Sequence, residues 1–273
     1  MSRIAARFAA LKAAGRGALI PFLEAYDPDA ATSMAILRGM PGAGADLIEI
    51  GMPFTDPMAD GPTIQAAAKR GLKAGAKVAK TLAMVRDFRK EDDATPVILM
   101  GYLNPILSYG CERFCEDAAA SGVDGLIIVD LPPEEADMLV PFATARGIDF
   151  IRLVAPTTDD KRMPIVLNGS SGFVYYVSIT GITGTRSATT EHLAAEIPRI
   201  RKATNLPIAI GFGVRTPAQA AEASRIADAA VVASALIDTL KDSLDENGHA
   251  RPDTVRKVLD QVRALADGVR GGK

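Results

Sequence analysis

With 273 residues, 48% of them apolar, the chain can bury the core of one large α/β domain, and no Gly/Ser-rich, Pro-rich or charge-run linker divides it. A formal net charge of −2 and the lack of a basic stripe interleaved with aromatics leave no electrostatic footprint for nucleic acid. The two cysteines and two histidines show no metal-ligand spacing, and no apolar run is long enough to be a signal core or a membrane span. We therefore expect a soluble, cytoplasmic protein with no bound metal and no membrane partner.

In chain order, Met1 to Gly17 is rich in Ala and Arg and places Ile4, Phe8 and Leu11 on one face of a short helix packed on the domain. Ala18 to Ala25 reads as a strand ending in a polar turn at Tyr26-Asp27-Pro28, followed by a helix from about Ala30 to Met40. The run Leu47-Ile-Glu-Ile50 is a short strand closed by Gly51 and Pro53. A loop and a helix from Pro62 to Ala74 follow, then a helix around Thr81 to Lys90. Pro96 to Pro105 reads as strand and loop, and Gly110 to Ala120 as a helix in which Cys111 and Cys115, one turn apart, are buried packing residues. Gly122 to Asp130 is the next strand, and Pro132 and Pro133 open a helix to about Arg146. Strands at Ile148 to Pro156, Gly172 to Ile179, Leu206 to Gly213 and Asp228 to Ser234 complete the series, before a last helix from about Asp253 to Ala266.

Roughly eight short apolar strands, each followed by a helical segment, predict a single (β/α)8 barrel over residues 1–273 with an extra N-terminal helix. An open doubly wound sheet is the alternative, but the first strand-to-helix turn carries no Gly-x-Gly-x-x-Gly fingerprint. Barrels carry their reactive groups at the C-terminal ends of the strands. Glu49, Asp60, Tyr102, Asp130, Tyr175, Phe212 and Ser234 fall there or nearby.

Glu49 is an ionisable group inside an apolar strand. Burial disfavours the charged form and should raise its pKa from about 4.3, giving a carboxyl able to donate and accept protons near neutrality. Asp60, on a loop punctuated by Pro57, Gly61 and Pro62, is a second carboxylate in a wetter setting, so the two can take different roles. Alone, Glu49 is equally the solvent-facing position of a half-buried strand, and Asp60 before Gly-Pro is ordinary turn chemistry. Three late segments have the chemistry of a phosphate site: the hydroxyl- and glycine-rich loop Thr180 to Arg186, the Gly211-Phe-Gly213 strand end, and Ala233-Ser234 opening a helix. Phe22 and Phe212 could wall the rest of a ligand.

These residues resemble the tryptophan synthase alpha subunit family over essentially the whole chain. The resemblance rests on Leu47 to Gln65, Gly101-Tyr-Leu-Asn-Pro105, Asp130-Leu-Pro-Pro133, Thr180-Gly-Ile-Thr-Gly184 and Gly211-Phe-Gly213. It implies a lyase that splits indole-3-glycerol phosphate into indole and glyceraldehyde 3-phosphate. No cofactor is implied in this chain. The expected partner is a β subunit, carrying pyridoxal phosphate, that joins indole to serine in an α2β2 assembly. By the same resemblance Glu49 transfers protons and Asp60 holds the indole N–H, while Phe22, Tyr102, Tyr175, Thr183, Gly184, Phe212, Gly213, Ala233 and Ser234 form the substrate-binding set. Pro53, Asp56, Pro57 and Asn104 would face the β subunit, and the loops after Glu49 and from Thr180 to Thr189 would close over substrate. One departure is Ala233, where the family usually has Gly, so that a methyl group stands beside the phosphate donors.

The residues agree with this chemistry. A retro-aldol cleavage needs an electron sink, and no strand-end lysine or histidine set offers one, so the indole ring, once protonated at C3, must serve. An isomerase or decarboxylating synthase on the same barrel would want a strand-end Cys/Asp pair or lysine. A non-catalytic ligand-sensing subunit that activates a partner is the alternative from outside enzymology.

Overall fold

The computed structural model describes residues 2–177, 190–211 and 213–272. Strands β1 (Ala18–Glu24), β2 (Ile48–Gly51), β3 (Val97–Gly101) and β4 (Gly125–Ile128) pair in sequence, all parallel. Beyond them lie β5 (Asp149–Phe150), β6 (Arg152–Val154), β7 (Val174–Val177), β8 (Ile208–Gly211) and β9 (Ala229–Val232), and β9 returns to pair with β1. β5 pairs with β4 while β6 pairs with β7, and only Ile151 separates them. They are two halves of one stave that joins both edges of the sheet, so nine segments make the eight-stave (β/α)8 barrel that the pattern predicts.

The helices are α1 (Arg3–Ala13), α2 (Ala30–Ala43), α3 (Pro62–Lys73), α4 (Val78–Phe88), α5 (Leu103–Tyr109), α6 (Cys111–Ser121), α7 (Val140–Ala145), α8 (Met163–Leu167), α9 (Thr190–Ala203), α10 (Pro217–Ile226), α11 (Ser234–Asp242) and α12 (Thr254–Arg270). Alternate residues of each stave face opposite ways. Ile20, Leu47, Ile98, Ile127, Ile151, Phe173, Ala209 and Val231 fill the barrel interior, whereas Leu23, Ile48, Ile50, Leu99, Leu126 and Phe150 lie under the helices. The apolar face of α1 belongs to the interior cluster: Ile4, Phe8 and Leu11 pack there, with the Phe8 and Phe173 rings 5.8 Å apart. This helix therefore covers the N-terminal end of the barrel, which leaves the C-terminal end for chemistry.

Two segments differ from the expected pattern. Leu103 to Tyr109 is helical despite Pro105, because a proline in the first turn removes only an N–H that has no partner within the helix. The helix expected from Pro132 to Arg146 is a 3-10 turn over Pro133–Met138 and then α7, broken at Leu139. Pro141 cannot continue an i to i−4 ladder and disfavours helical geometry before it. In addition, Cys111 is only half-buried, while Cys115 is fully buried.

At the N-terminal end three aspartates sit just before a strand and accept the N–H of the neighbouring one. Asp46 accepts from Leu19 (3.0 Å), Asp124 from Val97 (2.8 Å) and Asp228 from Ile208 (2.8 Å). Each is also held by arginine: Asp46 by Arg16, Asp124 by Arg3 and Arg89, Asp228 by Arg201. Of these pairs Asp124–Arg89 is the least exposed, at 4% and 9% side-chain exposure. Asp124→Ala would remove the charge partner of Arg89, leaving its guanidinium the carbonyls of Asp92, Thr95 and Gly122, and should lower unfolding free energy by about 3 kcal/mol. Asp228→Ala, beside the half-exposed Arg201, should cost about 1 kcal/mol. Urea denaturation of both variants measures the contrast.

Candidate active site

Because Ile48 and Ile50 point outward into the helix-facing core, Glu49 between them must point into the barrel. Its Cα is in register with Phe22 on β1 and Ile98 on β3, and the residue is 1% exposed. One carboxyl oxygen, Oε1, has no hydrogen-bond partner among the described residues. Among the described residues burial alone acts on this group, and it pushes the carboxyl up to about 8. Tyr175 faces it from β7, buried, with its phenol raised first by burial and then by the proximity of Glu49. The Tyr175 ring crosses over Gly211, where a Cβ would fall 2.0 Å from the phenol oxygen, so only glycine admits the ring.

One step toward the barrel mouth a cavity opens, lined by Phe22, Glu24, Gly51, Phe54, Asp60, Ile64, Met100, Tyr102 and Val129 among others. Asp60 reaches it from the loop after β2. The Tyr102 hydroxyl donates to Asp60 Oδ2 (3.0 Å) and accepts from the Ala59 N–H (3.0 Å), while its ring packs on Phe54. Tyr102 thus fixes the loop and orients the carboxylate. Burial raises the Asp60 pKa and the Tyr102 hydrogen bond opposes it, which leaves Asp60 the more readily ionised of the two carboxyls. Gln65 at the start of α3 ties the Asp60 carbonyl (2.9 Å).

Around the rim, Gly213 follows β8 with φ +77°, a left-handed conformation that favours glycine. Ala233 and Ser234 lie where β9 passes into α11, whose first turn carries no side-chain cap. The Ala233 methyl packs against the cluster of Phe22, Ile64, Ala67 and Ile237, so it faces apolar side chains. Thr183, Gly184 and Phe212, with the loop from Thr180 to Thr189, lie outside the described residues. The structure thus brings Phe22, Asp60 and Tyr102 to one cavity, with Glu49 and Tyr175 adjoining in the barrel and Gly213, Ala233 and Ser234 at neighbouring strand ends.

Asp130 has a positional role. Its Oδ1 accepts the Leu103 N–H (2.8 Å) at the start of α5, fixing the segment that carries Tyr102. Sequence reasoning misses Glu24, although its signal is the same as that of Glu49: an acid at the inward parity of an apolar strand, two residues after Phe22. It also misses the ion pair in which the half-buried Arg70 of α3 donates to the buried Asp27 through Nε (2.6 Å) and Nη2 (2.8 Å).

A family model described as tryptophan synthase alpha chain matches residues 8–269. The chain belongs to the tryptophan synthase alpha chain family. The tryptophan synthase alpha chain of Granulibacter bethesdensis is 71% identical to it across all of this chain and 98% of that one, and that of Gluconacetobacter diazotrophicus is 67% identical across the full length of both. Among solved structures, tryptophan synthase subunit alpha from Legionella pneumophila superposes with a TM-score of 0.91 at 35% identity, covering 99% of each chain. Tryptophan synthase from M. tuberculosis gives 0.88 at 35% identity over 98% of each chain. Family membership agrees with the barrel and leaves the work of individual side chains to be argued from this site.

The raised Glu49 pKa sets a sign for stability. The folded state holds the proton between the ordinary glutamate value of 4.5 and about 8, while the unfolded chain has already lost it. Stability is therefore intact below the lower value and declines as pH rises toward the upper one. Glu49→Gln should consequently gain on wild type by roughly 4 kcal/mol between pH 4.5 and pH 8, a difference measurable by urea unfolding at both pH values.

Proposed function

We propose that the chain is a carbon–carbon lyase that cleaves indole-3-glycerol phosphate to indole and glyceraldehyde 3-phosphate by carboxylate acid–base catalysis. The observation that carries this reading is a dry carboxyl, Glu49, with one oxygen unpartnered among the described residues, beside a cavity whose mouth presents the oriented carboxylate of Asp60. Glu49 holds a proton at neutral pH and gives it to indole C3, leaving positive charge on the ring nitrogen, which Asp60 faces. The bond from C3 to the glycerol chain then breaks, its electrons return to the ring, and ionised Glu49 takes the proton from the adjoining glycerol hydroxyl as the aldehyde forms. One group gives and regains one proton, and the ring itself is the electron sink, so the cleavage asks for no cofactor in this chain. Phe22 and Tyr175 offer the ring its walls. We assign the phosphate to backbone N–H groups at Gly213 and the start of α11 with the Ser234 hydroxyl, and Thr183, Gly184 and Phe212 to the same substrate by resemblance.

The product indole suits transfer to a pyridoxal-phosphate-dependent β subunit in an α2β2 assembly. Supporting this, the C-terminal end of the barrel exposes Met58 (81%) and Leu107 (43%), large apolar side chains beside the exposed Asp56 and Asn104 and the half-buried Pro53 and Pro57.

Steady-state release of indole by the purified chain, alone and with a β subunit, is the test. Glu49→Gln should lower kcat by about 10²–10⁴-fold with little change in KM, the usual worth of a positioned acid–base group. Asp60→Asn should lower kcat less, since the ring loses a charge partner and retains its proton donor. An undiminished rate in Glu49→Gln contradicts the assignment, and a wild-type chain that only stimulates a β subunit favours the sensing role.

A further inference from the structure

The cavity beside Asp60 contains a carboxyl that this chemistry leaves unused. Glu24, the last residue of β1, is 4% exposed and lines the cavity. No hydrogen bond acts on its carboxyl among the described residues. Its position depends on Gly51: a Cβ there would lie 2.3 Å from Glu24 Oε2 and 2.6 Å from Phe22 Cζ. The carboxyl therefore lies over Gly51 next to the Phe22 ring edge, within the space assigned to the heterocycle. The charged groups around it are Asp60 from the loop after β2, Asp27 from the turn after β1, and Arg70 from α3, whose Nε and Nη2 are engaged by Asp27. Tyr102, which lines the same cavity, donates its hydroxyl to Asp60. Among the described residues, no lysine, arginine or histidine lines the cavity.

A buried carboxyl without a hydrogen bond, aimed into a cavity that holds a second carboxylate and no cation, suits a ligand with positive charge. We infer that Glu24 acts with Asp60 as a second carboxyl of the ring-binding site, and that this site takes a cationic bicyclic ring in preference to its neutral isostere. The inference rests on the proposed function, in which the bound ring acquires charge at its nitrogen. In the empty site burial, followed by repulsion from Asp60 and Asp27, keeps a proton on Glu24 against the pull of Arg70. A cation beside the pair offsets that repulsion, so its binding drives the Glu24 proton into solvent, whereas a neutral ring leaves it in place. Glu24 is in this sense a positioning residue for charge on the ring, and Glu49 performs the proton transfers.

The test uses calorimetry on the full chain with two probes of similar size, indole-3-propyl phosphate and a benzimidazolium with the same phosphate tail, each in two buffers of different ionisation heat. The wild-type chain should favour the cation over the neutral ring by about tenfold more than Glu24→Gln does, as expected for one added charge at a partly shielded distance. It should also release close to one proton with the cation and almost none with the neutral ring, and Glu24→Gln should abolish that difference. Glu24→Thr, a smaller neutral side chain, repeats the test if the glutamine variant folds poorly. Equal preference and equal proton release in wild type and variants, with the neutral ring bound tightly throughout, overturns this inference alone. Failure of both rings to bind the wild-type chain overturns the proposed function with it.

Discussion

The structure depends on the cost of keeping one carboxyl out of water. Glu49 is enclosed by the barrel wall and, among the described residues, has one oxygen without a partner and meets no cation that would favour its ionised form. Such an arrangement lowers stability as pH rises, and a fold optimised for stability alone would place a hydrocarbon there. In the proposed reaction the same desolvation supplies a proton donor that is loaded near neutrality and is reloaded within one cycle. Enclosure depends in turn on features far from Glu49. The α1 helix closes the opposite end of the barrel, and Gly211 admits the Tyr175 ring that covers the site.

Structure and chemistry are divided between the two ends of the barrel. At the N-terminal end, aspartates are matched by arginines and by strand N–H groups, so their charges hold staves together. At the C-terminal end, Glu24, Glu49 and Asp60 lie in or beside the cavity, and the nearby arginine, Arg70, is occupied by Asp27. Asp60 differs from Glu49 because Tyr102 gives it a hydrogen bond, and that one bond separates a group suited to facing a cation from a group suited to carrying a proton.

Much of this is legible in the sequence, because strand alternation is a strong physical signal. The parity that turns Ile48 and Ile50 outward forces Glu49 inward, and the eight staves fall where the apolar runs predict them. The stave split into β5 and β6 cannot be read from its own residues, since the break reflects pairing with two different neighbours. Pro105 and Pro141 show why local rules fail at boundaries: the first is accommodated in a helix start, and the second ends a helix that Pro132 and Pro133 would otherwise open. The carboxylates at positions 27 and 130 cannot be sorted by sequence, because their roles are set by Arg70 and by the Leu103 N–H, which approach only in the folded chain. Glu24 is legible in principle, and its position just before a polar turn conceals it.

The proposed reaction turns on a Glu49 that stays protonated in the interior at neutral pH. The most direct measurement is the titration of its carboxyl carbon by NMR on ¹³C-labelled chain, assigned by comparison with Glu49→Gln. A midpoint near 8 is the result expected from burial without a compensating partner. A midpoint near the ordinary glutamate value of about 4.3 would mean that the carboxylate is solvated or paired in solution, and would contradict a dry, proton-carrying side chain at this position.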